Sequence, residues 1–95
     1  MKGEVVTLVT MMGEIVGRLK EETTTGYLIE DPRLFVPTQG EGQGQSGGFA
    51  PGVSMTGKQE LSEGHFNRDV VLTVIPAHEV IESGWREVVS GIITP

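Results

Sequence analysis

Cysteine is absent from this 95-residue chain, which excludes a disulfide framework, thiolate metal sites and a cysteine nucleophile. Aromatic residues are scarce, at three Phe, one Trp and one Tyr, so the core must be built mainly from aliphatic side chains. Long apolar runs are missing as well. No stretch approaches the roughly 18 consecutive apolar residues of a membrane-spanning helix, and the N-terminus lacks the basic-then-apolar layout of a signal peptide. These absences predict a soluble, cytoplasmic protein with no membrane partner. Basic residues are in the minority, with 7 Lys and Arg against 13 Asp and Glu and a net charge of −6. That balance argues against the broad basic surface of non-specific duplex binding, and any nucleic-acid role needs a local patch.

Glycine, in contrast, is abundant, and eight of the 14 lie between Thr38 and His65. This stretch has too few apolar side chains to offset the entropy of ordering its backbone, so it reads as a long flexible loop inserted at 38–65. Without it, 67 residues of core-forming chain remain. A domain of about 60 residues buries only about 60% of its unfolded surface, so assembly with further copies is expected.

The rest of the chain alternates like strands. Glu4–Met12 is rich in β-branched residues, Gly13 marks a turn, and Glu14–Glu21 alternates with Ile15, Gly17 and Leu19 on one face. Gly17 falls mid-strand on the apolar face, where glycine marks a sharp bend or a close backbone approach. Tyr27–Glu30 and Leu34–Val36 continue as extended chain around Asp31-Pro32, which demands an edge or a bulge. Val70–Ile75 is nearly all apolar and is expected to be covered on both faces, and Val80-Ile81 could begin a fifth strand. Ile81, Trp85, Val88 and Ile92 follow a helical spacing interrupted by Gly84 and Gly91, which predicts a short helix over about Trp85–Ser90. The residues therefore read as mostly β, four or five short, mostly antiparallel strands closing into a small barrel or sandwich, in a single domain with a short C-terminal helix.

The run Val6-Thr-Leu8-Val-Thr-Met-Met-Gly13-Glu-Ile15-Val16-Gly17-Arg18-Leu19 resembles the first motif of the Sm and Sm-like proteins. Gly17 matches the glycine at which that family's second strand bends, and Leu28-Ile29 before Glu30-Asp31 resembles its third strand. Val70–Ile75, Pro76-Ala77-His78-Glu79 and Val80–Ser83 have the order and lengths of its second motif. Two departures stand out. Pro76-Ala77 replaces the family's Arg-Gly, and Thr23-Thr-Thr-Gly-Tyr27 replaces its Asp-x-x-x-Asn loop. The resemblance implies a small, strongly bent, five-stranded antiparallel Sm-like (SH3-like) barrel with the long flexible loop between strands 3 and 4, in a homo-oligomeric ring of about five to seven copies, strand four of one subunit pairing with strand five of the next. Its implied partners are further copies of itself and single-stranded RNA, bound in the pore by the loops between strands two and three and between four and five.

Carried over by position, the nucleic-acid candidates are Thr23, Thr25, Tyr27 and His78, while Gly13 and Gly17 are structural. Tyr27 reads as a cross-strand aromatic ahead of a base-stacking platform, and His78 as a solvated turn residue ahead of a donor to phosphate or base. A structural or assembly role as a phage-type oligomeric scaffold, without RNA, is the alternative. No catalytic constellation is found. His65 and His78 with Asp69 or Glu79 match no metal-ligand spacing, Ser46 has no His/Asp partners to activate it, and the glycines form neither a P-loop nor a dinucleotide fingerprint. The expectation is a protein with no enzymatic activity, no cofactor and no metal.

Overall fold

The computed structural model of the chain describes residues 1–38 and 46–91. Six antiparallel strands form one sheet: β1 (Val5–Thr10), β2 (Gly13–Glu22), β3 (Gly26–Thr38), β4 (Ser46–Phe49), β5 (Glu63–Asn67) and β6 (Val71–Pro76). A 3₁₀ turn (Arg68–Val70) joins β5 to β6, and helix α1 (Glu79–Ser90) ends the described chain. The mostly β class with a C-terminal helix is as expected from the sequence.

The β1–β2 hairpin forms where Gly13 takes φ 139, and Thr10 staples the turn: its hydroxyl donates to Gly13 O at 2.7 Å and accepts from Met12 N at 3.1 Å. Gly17 permits a close crossing. A Cβ there would fall 2.3 Å from Ile29 Cγ2 and 2.8 Å from Glu30 O, so only glycine lets β2 press against β3. The long β3 is broken by a bulge at Asp31, with φ 50, and Pro32. Its first half pairs with β5 and its second half with β4. Because the bulge re-aims the strand, the two partners lie on successive segments of one edge.

Alternation gives the sheet two apolar faces. Val6, Leu8, Ile15, Leu19 and Ile29 form one core, and Val5, Val16 and Trp85 form the other beneath α1. Trp85 is 2% exposed, donates from Nε1 to Asp31 O at 2.9 Å, and has the Arg18 guanidinium 5.6 Å from its ring.

Several expectations are corrected here. The strands number six rather than five, and among the described residues no ladder joins β6 to β5, so the sheet is open rather than a closed barrel. Part of the stretch expected to be a loop is ordered: 46–49 and 63–67 are strands, paired through backbone hydrogen bonds that need no apolar side chains. The flexibility expected of 39–45 lies outside the described residues. Val80–Ser83 is not a fifth strand but the first part of α1, which begins earlier than expected because His78 caps it and Glu79 and Glu82 sit in its first turn. Gly84 is tolerated inside the helix where α1 approaches β4, since a Cβ there would lie 3.3 Å from Phe49 Cε2. Ile92, the last residue of the expected stripe, lies outside the described residues. The apolar run 70–75 is not covered on both faces. β6 pairs with β1 alone and leaves Val70, Leu72 (65%) and Ile75 (45%) exposed.

Candidate nucleic-acid site

Thr23, Thr25 and Tyr27 come together where the β2–β3 turn meets the end of β5. The turn is self-supporting: Thr23 N donates to Gly26 O at 2.7 Å, and Thr23 Oγ1 accepts from Thr25 N at 3.3 Å and Gly26 N at 3.0 Å. Gly26 is buried against β5, where a Cβ would fall 2.0 Å from Phe66 O. The following residues are fixed in turn. Asn67 Oδ1 accepts from Asp69 N at 2.8 Å to start the 3₁₀ turn, and Arg68 N donates to Thr25 O at 2.8 Å.

The Arg68 side chain then folds back over the β2–β3 turn. Its Nη2 donates to Thr23 O at 2.8 Å and to Glu22 Oε2 at 3.0 Å, and its Nη1 donates to the Tyr27 hydroxyl at 3.2 Å. The guanidinium carbon sits 5.0 Å from the Tyr27 ring centroid. Tyr27 is half-buried and packs against the first core, as a cross-strand aromatic does, and its ring carries Arg68. From the other face of the β3–β5 ladder, where His65 pairs with Leu28 while Tyr27 pairs with Phe66, His65 Nε2 reaches within 3.1 Å of Thr23 Oγ1 and 3.4 Å of Thr25 Oγ1. Lys20 Nζ meets Glu63 Oε2 at 2.5 Å, and that hydrogen bond and charge push the lysine pKa above its ordinary value.

His78 is not part of this cluster. It caps α1, where Nδ1 accepts from Val80 N at 3.2 Å, and it borders an open groove between sheet and helix whose walls include Thr7, Glu14, Ile75 and Ile81. The residues that sequence reasoning missed are Arg68 and His65. Pro76-Ala77 leads from β6 into α1 rather than into a fifth strand, the connection beside the site is Asn67-Arg68-Asp69 between β5 and β6, and Asn and Asp flanking a cation just before an apolar run were the available signal.

Chemically, the cluster offers a planar guanidinium backed by an aromatic ring, two hydroxyls and an imidazole. That set suits stacking and hydrogen bonding to a base. Among the described residues no group of three or more His, Asp or Glu is arranged to hold a metal ion, and no helix is long and apolar enough to cross a membrane. Comparison with family models, with curated proteins and with solved structures returns no match for this chain.

Proposed function

We propose that this chain is a non-enzymatic, Sm-like protein that assembles with copies of itself into a closed ring and binds single-stranded RNA through Thr23, Thr25, Tyr27, His65 and Arg68. The observation that carries the RNA reading is the Arg68 guanidinium held over Tyr27 beside the Thr23–Thr25 turn. Guanidinium and aromatic planes are what unpaired bases stack on, at about 1–3 kcal/mol per base. Assembly is supported by the sheet order, which leaves β5 and β6 each with one neighbour, and by the exposed Val70, Leu72 and Ile75 at the β6 end. With Val80–Ser83 helical, the joint runs between β5 of one copy and β6 of the next, which removes the exposed edges of those two strands.

Oligo-U and oligo-A titrations at about 50 mM salt test the RNA reading, because phosphate contacts are strongest at low salt. Saturable binding that is lost in Arg68→Ala is expected. A second reading, an oligomeric scaffold without RNA, is favoured by the net charge of −6 and by Glu22, which already engages Arg68. Absence of binding at low salt selects it.

A further inference from the structure

The Thr23 hydroxyl links the β2–β3 turn to His65. Thr23 Oγ1 accepts two N–H groups, from Thr25 and Gly26, so both of its lone pairs are engaged. Its proton has two acceptors within reach, Gly26 O at 3.2 Å, which also takes the Thr23 N–H at 2.7 Å, and His65 Nε2 at 3.1 Å. The Thr25 hydroxyl lies 3.4 Å from the same nitrogen. With both lone pairs taken, Thr23 Oγ1 can bond Nε2 only as a donor, and such a bond requires Nε2 to be the unprotonated nitrogen of the ring.

This contact leads directly to Arg68. His65 holds Thr23 by the hydroxyl, and Thr23 holds Arg68 by the backbone carbonyl at 2.8 Å. We propose that His65 is a positioning residue for the nucleic-acid site, acting as a neutral Nε2 acceptor, and that the site weakens when His65 takes up a proton. The proposal rests on the RNA reading above. A protonated Nε2 turns a donor toward an oxygen with no lone pair left, so the Thr23 link breaks and the turn that sets Arg68 over Tyr27 loosens.

The charged and titratable groups facing this patch are Glu63 on β5, Glu30 opposite it on β3, Lys20 and Glu22 on β2, Tyr27 on β3, and Arg68. Carboxylates, phenols, lysines and arginines ordinarily titrate outside the window in which a histidine changes charge. A change in affinity across that window that disappears with the imidazole is therefore assigned to His65.

Two readouts test this on the full chain, between about pH 8 and about pH 5.5, either side of the histidine window. Imidazole ¹⁵N shifts should show Nε2 unprotonated and Nδ1 protonated at the higher pH. On acidification the Thr25 and Gly26 amides should lose hydrogen-exchange protection. Affinity for a single-stranded oligonucleotide should fall by about fivefold or more in the wild type, the scale of one lost hydrogen bond. In His65→Gln, whose amide oxygen can still accept from Thr23 but takes up no proton in this window, affinity, whatever its level, should be the same at both pH values. A proton on Nε2 at the higher pH, or the same pH response in His65→Gln, overturns the proposal. Failure of the wild type to bind at the higher pH rejects the RNA reading instead, and the ¹⁵N and exchange data then decide alone whether neutral His65 holds the turn.

Discussion

Trp85 Nε1 donates to Asp31 O at 2.9 Å, which ties α1 to the bulge that divides β3 into its two pairing segments. Helix position and strand bend are thereby set by one contact. Trp85→Phe keeps most of the apolar contact but leaves that carbonyl without its donor, and about 1–3 kcal/mol of stability should be lost. Trp85→Ala also empties the second core and should cost about 3–5 kcal/mol. Denaturant unfolding of the two variants separates the hydrogen bond from the packing.

Gly17→Ala is expected to be costly for so small a change. The added methyl meets a backbone oxygen at 2.8 Å as well as Ile29 Cγ2 at 2.3 Å, and the backbone cannot rotate away as a side chain can. A loss of about 2 kcal/mol or more is expected, in the upper part of the range for overpacking. Equal stability of Gly17→Ala and wild type would mean that the β2–β3 crossing is looser than described.

Asp31 gives a pH signature. Burial, and next the neighbouring Glu30, push its pKa above the ordinary aspartate value of 3.8, with Arg33 and Arg18 acting in the opposite direction. A carboxyl raised in the folded state destabilises the fold once ionised, so its penalty is absent below the unfolded pKa and fully developed above the folded one. Asn accepts the positive φ equally well and carries no charge. Asp31→Asn should therefore stabilise the protein by about 0.5 kcal/mol at neutral pH. The gain should shrink to nothing as pH falls below 3.8. Thermal unfolding of both proteins across that range checks the sign.

Much of this was legible in the sequence, and the errors have physical causes. The β1–β2 hairpin, the bend at Gly17 and the break at Asp31-Pro32 are local consequences of β-branched runs, a glycine and a proline. The strands 46–49 and 63–67 were hidden because they are held by ladder hydrogen bonds to β3, which leave no apolar periodicity to read. The run 70–75 looked buried because Leu72 and Ile75 are apolar, yet they line an edge with only β1 beside it. At the candidate site, Thr23, Thr25 and Tyr27 lie within five residues of one another, so a local reading groups them. Arg68 and His65 reach them from about 40 residues away through the β3–β5 register, a pairing that no local pattern encodes.

Arg68 and His78 should separate cleanly in function. Arg68→Ala removes the plane over Tyr27 and should weaken single-stranded RNA binding by about tenfold or more, from the 1–3 kcal/mol scale of base stacking. His78→Ala should leave RNA affinity unchanged while costing about 1 kcal/mol of stability through the lost cap of α1. Fluorescence anisotropy with a labelled oligonucleotide, paired with thermal unfolding, reads both effects.

Self-assembly through the edges of β5 and β6 is the claim on which the ring stands, and light scattering on the eluting protein at micromolar concentration tests it most directly. A single species of about 50–70 kDa is expected, corresponding to a closed ring of about five to seven 10.2 kDa chains. Leu72→Lys on the exposed face of β6 should shift it toward the single chain. A wild-type mass of 10.2 kDa would contradict the account.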